Sequence, residues 1–487
     1  MQSTDAQSRR RFDGGFFGQP AALAAPFSVE LWERFSFYGM QGILLIYLYY
    51  SVESGGLGVP QAVAAGIVGA YGGSVYLFTI GGAWLADRLL GADRTLLVSA
   101  SVVMAGHIAL AVVPGLPGVG AGLVLIALGA GGVKATSTTI VGALYEPQDP
   151  RRDGGFALYY LGINLGAFGG PILTGVLQSS VGFHVGFALA AVGMAAGLVQ
   201  YALRRRHLPD RVRVAPNPMP AKQLRRAAGW AGVAVAAIVA SAGAGLLTAD
   251  RLPVVVVSLT AVAAAGLFVM VLAAPIGARA RTRVVGFVPL FIASAVFWAL
   301  YQQQFTVLTV YGDERLDRMI FGFEMPVAWV QSINPIMIIV LSGAFAGLWT
   351  ALGRRQPSTP TKFALGTITM GLAFWLFLPF VGSGPNGTPL LALVAILFLF
   401  TVAELLLSPV GLAVATKLAP ARFQSQLVAL FFLSVALGTA GSGVLARAYE
   451  ALPEAHYFAS IGGAAVVVGG LLLATTRPVV RLMRGVR

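Results

Sequence analysis

Residues 27–50, FSVELWERFSFYGMQGILLIYLYY, have the length of a membrane-crossing helix yet pack Glu30, Glu33 and Arg34 into five positions. At 1.5 Å per residue, about 20 apolar residues cross the ~30 Å hydrocarbon layer. A charge at mid-bilayer costs at least ~2.5–3.5 kcal/mol, so this cluster inserts only where it faces a wet interior lined by protein. Glu30, then Glu33 with Arg34, then Tyr38 and Gln41 recur every three or four residues, which puts all five on one helical face. Two carboxylates share that face with one guanidinium, so one acid needs another partner or a proton.

Outward from this span, apolar stretches of similar length fill the chain, at 62–86, 95–114, 119–145, 155–178, 183–203, 227–247 and 253–273. More follow at 284–310, 325–352, 363–381, 390–417, 426–446 and 457–475, which gives fourteen spans. Hydrophobic residues make up 57% of the 487 positions and charged ones only 11%, and the mean hydropathy is +0.79. A soluble domain carries about 25% charged residues, so the chain reads as an all-α polytopic membrane protein. With the amino terminus cytoplasmic, 27 Lys/Arg fall inside, 4 outside and 2 within spans, whereas Asp/Glu divide 8, 8 and 3. Only the basic residues are sorted, and that asymmetry predicts a multi-pass membrane protein with both termini cytoplasmic. The net charge of +14 is then an orientation signal spread over short loops, not a nucleic-acid surface. Ser8-Arg9-Arg10-Arg11-Phe12 has the look of a twin-arginine signal but reads as a basic anchor, since no apolar segment of signal length precedes the first span. The absence of cysteine rules out disulfides and thiol chemistry.

The basic, proline-rich stretch 204–226 reads as a cytoplasmic linker. It divides an amino-terminal bundle of six spans (27–203) from two uncharged spans (227–273), read as a peripheral insertion, and a second bundle of six (284–475). Segments 1–26 and 476–487 are expected to be cytoplasmic ends. Gly82-Ala83-Trp84-Leu85-Ala86-Asp87-Arg88, running on to Asp93 and Arg94, has a weak echo in Gly347-Leu348-Trp349-Thr350-Ala351-Leu352-Gly353. Paired six-helix halves are how many secondary transporters build a midplane site.

Two further ionisable residues lie inside spans. Lys134 is some ten residues from the end of its span, too deep for its ammonium to snorkel out easily, and Glu404 precedes Ser408 and Pro409 by one turn. Three interior acids against two bases leave one positive charge missing, which a proton or a cationic substrate group supplies. Tyr76, Tyr160 with Asn164, Trp298 with Tyr301 and Gln302, and Gln331 with Asn334 are polar or aromatic candidates to line the same path. His107 and His184 have no neighbour at ligand spacing, so no metal is expected, and no nucleophile with a positioned base suggests an enzyme.

The run from Glu30 to Gly39 resembles the ExxERFxYYG motif of the proton-dependent oligopeptide transporter family, a branch of the major facilitator superfamily. Further matches are the loop 81–94, FALYYLGINLG at 156–166, FWAL at 297–300, QSINP at 331–335, ELLLSP at 404–409 and TKLAP at 416–420. The resemblance implies the major facilitator fold with two inserted helices, and proton-coupled uptake of di- and tripeptides by alternating access, with protons as coupling ion and no other cofactor. It implies that Glu30, Glu33, Arg34 and Lys134 couple the proton. It further implies that Glu404 with Asn164 and Asn334 binds the peptide amino terminus, and that basic residues of the first and fourth helices take its carboxylate. Tyr38, Gln41, Tyr76, Tyr160, Trp298, Tyr301, Gln302, Ser408 and Phe431 join the expected substrate site, and Asp87, Arg88 and Arg94 the expected gate. Three positions depart from the family pattern: Gln41 stands for arginine, Gln302 for an acid and Phe431 for tryptophan. The first two resemble a lost ion pair between the bundles, which predicts weakened carboxylate recognition and tolerance of longer or amidated peptides. The partners expected are small peptides or peptide-like compounds and the lipid bilayer, with no nucleic acid. An alternative keeps the fold but changes the cargo to an amine-bearing or modified peptide-like compound, such as an antibiotic or metabolite, taken up or exported. Sequence leaves oligomeric state open.

Overall fold

The computed structural model describes residues 15–146 and 148–486, apart from the side chains of Arg354 and Ala421. The basic run 9–11 and most of the expected cytoplasmic segment 1–26 therefore lie outside the described residues. The long helices are α1 (Ala24–Tyr49), α2 (Gln61–Leu85), α3 (Gly91–Val112), α4 (Gly115–Ala143), α5 (Arg152–Ser180), α6 (Phe183–Arg204) and α7 (Ala221–Gly243). They continue as α8 (Leu252–Ala273), α9 (Ala278–Tyr301), α10 (Val330–Leu352), α11 (Thr359–Trp375), α12 (Leu390–Leu418), α13 (Gln424–Ala451) and α14 (Glu454–Ala474). Twelve stretches have the length and composition to cross a membrane, the first of them containing both α2 and α3. Adding α1, whose charges set it apart, gives fourteen among the described residues, as the hydrophobic pattern predicts. The remaining regular structure includes short helices and a two-strand hairpin, Met319–Ile320 with Phe323–Glu324.

One expected span differs in kind. The stretch 284–310 is not one helix: α9 stops at Tyr301, a tight turn runs Gln302–Phe305, and a short helix resumes at Val307–Glu314. The break falls in a run of glutamines and threonines whose side chains compete for the backbone and for each other. Thr309 Oγ1 donates to the Gln304 carbonyl at 2.9 Å, and Thr306 Oγ1 to Gln303 Oε1 at 3.1 Å.

The chain forms two compact units, Met1–Ile43 with Phe78–Leu247, and Leu44–Leu77 with Thr248–Arg487. In the first, a row of glycines on α5 lets α1 approach backbone to backbone. A methyl group built on Gly166 would meet the Leu31 carbonyl oxygen at 2.2 Å, and one on Gly170 the Phe35 carbonyl oxygen at 2.3 Å. Bulk at either position would push the charged helix away. The stretch after α6 is also more ordered than a free linker, because Leu208, Val212 and Ala215 are buried. Asn217 and Met219 donate backbone hydrogen bonds to the carbonyls of Asp87 and Arg88.

In the second unit, the outer ends of α1 and α2 pack with the later helices. Asp313 accepts from Tyr49 at 2.5 Å and Tyr50 at 2.8 Å, and Gln61 donates to Glu314 at 2.9 Å. The inserted pair behaves unequally. α7 buries none of its residues, whereas α8 buries Pro253, Thr260, Ala264 and Val271. The peripheral reading thus fits α7 better than α8.

Candidate functional site: two buried polar clusters

In the first unit the charged face of α1 is buried. Glu30 is 1% exposed, Glu33 0% and Arg34 6%. Arg34 gives both of its short contacts to Glu30 Oε1, from Nε at 2.8 Å and Nη2 at 2.7 Å. Glu33 Oε2 is 3.4 Å from Arg34 Nε, and neither Glu33 oxygen accepts a hydrogen bond among the described residues. Lys134, on α4, holds its ammonium 5.7 Å from the Phe37 ring centre, within electrostatic reach of both glutamates. The four charges sum to zero, with the pairing uneven.

The same neighbourhood holds two residues that the sequence reading does not select. Ser137 and Tyr159 hydroxyls lie 2.7 Å apart beside Glu30. A signal for Tyr159 is present: it stands three residues before Gly162, and Gly162, Gly166 and Gly170 mark the face of α5 that meets α1. Tyr160, chosen instead for its spacing to Asn164, is 40% exposed and does not share that face. Asn164 is buried, and its amide donates to the Tyr160 carbonyl at 2.9 Å. Tyr38 is half-buried. Gln41 is buried, and its Oε1 accepts no hydrogen bond among the described residues.

The second unit gathers the other cluster around Glu404 on α12. Glu404 Oε2 lies 2.8 Å from the Tyr301 hydroxyl and 3.4 Å from Asn334 Nδ2. The Tyr301 hydroxyl is also 3.1 Å from Asn334 Oδ1, and Asn334 Nδ2 donates to Thr401 Oγ1 at 3.0 Å. Among the described residues, the hydrogen-bond partners of this carboxylate are neutral. Trp298 packs edge-on to Tyr301 at 5.1 Å, and its indole N–H is buried with no acceptor among the described residues. Thr401 also escapes the sequence reading, although it sits one turn before Glu404 on the same face.

Other expected residues are placed less centrally. Gln302 is buried at the turn that ends α9, and Ser408 is half-exposed one turn beyond Glu404. Phe431 is buried against Gly411, where a methyl group would meet its ring at 2.3 Å. Tyr76 falls in the second unit and is half-buried. Of the expected gate residues, Asp87 accepts from Asn217 at 2.8 Å and Arg88 donates to the Asn217 carbonyl at 3.3 Å, while Arg94 is exposed. The adjacent Asp93 is wholly buried, held by Tyr201 at 2.9 Å and by the Arg205 guanidinium. Among the described residues no group of three or more His, Asp or Glu is arranged to hold a metal.

A carboxylate short of partners in one unit and a neutral-walled carboxylate in the other suit ion and amine handling. The family model described as "POT family" matches residues 93–462. The chain is 40% identical over 478 residues to an uncharacterized transporter, YclF, of Bacillus subtilis, covering 97% of this chain and 96% of that one. It is 39% identical over 498 residues to a di-/tripeptide transporter of Lactococcus lactis, covering 99% of this chain and all of that one. Its fold matches a mutant of the peptide transporter POT crystallised with alafosfalin, with a TM-score of 0.92, 42% identity and 99% of each chain covered. The chain belongs to the POT family of peptide transporters and is a membrane transporter, not an enzyme.

Proposed function

We propose that this protein is a proton-coupled symporter that carries di- and tripeptides or peptide-like compounds inward by alternating access, with Glu33 as the proton acceptor. One observation carries the assignment. Glu33 is a fully buried carboxylate with no hydrogen bond among the described residues, beside an arginine already committed to Glu30. A buried, unsatisfied carboxylate is costly when ionised and cheap when neutral.

Charge arithmetic then links proton to peptide. Protonating Glu33 turns the first cluster from neutral to +1 and releases Lys134 to receive a peptide carboxylate. In the second cluster, Glu404 is an uncompensated negative charge that receives the peptide ammonium, with Tyr301, Asn334 and Thr401 orienting it. Glu30 with Arg34 remains the fixed pair of the first cluster. Tyr38, Tyr160, Asn164, Trp298 and Ser408 contribute contacts to the peptide body, and Asp87, Arg88 and Arg94 take part in gating. A neutral zwitterion plus one proton leaves no net buried charge. An inward-negative potential of 100 mV adds ~2.3 kcal/mol for the charge carried. Neutral Gln41 and Gln302 leave one carboxylate anchor fewer than the family pattern, so carboxylate recognition is weak. The protein sits in a bacterial cytoplasmic membrane with both termini inside.

The test is reconstitution into liposomes. Glu33→Gln abolishes proton-driven accumulation of dialanine while equilibrium exchange of labelled peptide persists. Accumulation at the normal level in that variant would remove Glu33 from the coupling role.

A further inference from the structure

We infer that the basic end of the second unit contains a binding site for a phosphate group, built around Lys362. The segments 274–283, 353–362, 417–423 and 475–487, which are connections with the helix ends beside them and the tail, hold twelve of the chain's 33 Lys/Arg and none of its 19 Asp/Glu. A uniform basic face alone is ordinary for a cytoplasmic loop region. What sets this one apart is burial. Lys362, in the first turn of α11, is only 8% exposed as a residue.

Its partners are neutral. Nζ donates to Gln356 Oε1 at 3.0 Å and lies 3.9 Å from the Trp349 ring centre. An amide oxygen and an aromatic face stabilise a cation without cancelling its charge. No carboxylate pairs with it among the described residues. A buried, uncompensated ion is expensive, and an anion is the group that offsets it.

Lys362 also opens onto space for one. It lines a cavity of about 620 Å³ whose second cation is Lys417, and Gln356 is shared with a neighbouring cavity of about 320 Å³ that holds Arg477 and Arg481. None of these cations forms an ion pair among the described residues either. Two cations lining each of two cavities that share Gln356 suit a group with several charged oxygens, which is the chemistry of phosphate. Val410 and Val414 supply an apolar wall beside Lys362, compatible with the glycerol end of a phospholipid headgroup as well as with a free phosphate.

Thermal unfolding of the purified, delipidated full-length protein tests this, with phosphatidylglycerol, phosphatidylcholine or inorganic phosphate added at matched ionic strength. A ligand that binds only the folded state raises its melting temperature, here by roughly 2 °C or more. The expected result is such a rise with phosphatidylglycerol and none with phosphatidylcholine, lost in both Lys362→Gln and Lys417→Gln. A rise with inorganic phosphate as well assigns the site to the free anion. Lys417 is exposed, so its variant keeps the test valid if Lys362→Gln misfolds. No rise with either anion, or a rise undiminished in Lys417→Gln, overturns the inference.

Discussion

A guanidinium neutralises one carboxylate well, and Arg34 gives its two short contacts to Glu30, which leaves Glu33 buried beside it at 3.4 Å. Lys134 is the remaining positive charge of that cluster. Lys134→Ala strands a net negative charge there, so proton-driven accumulation is lost, and uptake assays in liposomes check it. In the second cluster Glu404→Gln removes the negative charge proposed to receive the peptide ammonium. A hydrogen bond to a charged group is worth ~1.5–3 kcal/mol, so the KM for dialanine rises roughly 10- to 100-fold. Gln41 and Gln302 make a prediction of the opposite kind. Dialanine amide competes for uptake within roughly fivefold of dialanine, because a weak carboxylate contact is worth no more than about 1 kcal/mol. Much of this chemistry is legible in the sequence, because ionisable residues inside apolar spans stand out by their insertion cost. Ser137, Tyr159 and Thr401 are not so legible, since hydroxyls are cheap enough in a helix to occur anywhere, and only the contact faces single them out.

The element that positions the first cluster is the α1–α5 pair, and its determinant is the glycine row. Gly166→Ala forces a methyl onto the Leu31 carbonyl oxygen, whereas on Gly169 the nearest contact is the Phe35 ring at 3.9 Å. Overpacking of this kind costs ~1–3 kcal/mol. Gly166→Ala therefore lowers the melting temperature and impairs uptake, while Gly169→Ala leaves both close to normal. Unfolding curves of the two purified variants measure the difference. Helix number and approximate bounds follow from hydropathy because the bilayer imposes one length on every span. The break after Tyr301 does not, because the same apolar run is compatible with a continuous helix, and the turn depends on side-chain hydrogen bonds from Thr306 and Thr309. The stretch after α6 reads as a linker by its prolines, yet buries Leu208 and Val212 against its own unit. Scattered apolar residues among prolines carry no periodicity from which that docking can be foreseen.

At the scale of the molecule, the transported complex is a charge ledger. The first cluster is neutral and the second is −1, and on the proposed reading one proton carried with a zwitterionic peptide moves one positive charge across. The sequence predicts two bundles of six, but not that Leu44–Leu77, with the end of α1 and most of α2, belongs to the second unit. That depends on contacts such as those of Asp313 with Tyr49 and Tyr50, which are more than 260 residues apart in the chain. The most direct test is proton movement driven by peptide alone. Liposomes containing the protein and a trapped pH-sensitive dye are exposed to an external dialanine gradient with no imposed pH difference. The expected result is internal acidification by the wild-type protein and none by Glu33→Gln, although that variant still exchanges labelled dialanine. Equal acidification by both, or peptide entry without proton entry in the wild type, would contradict it.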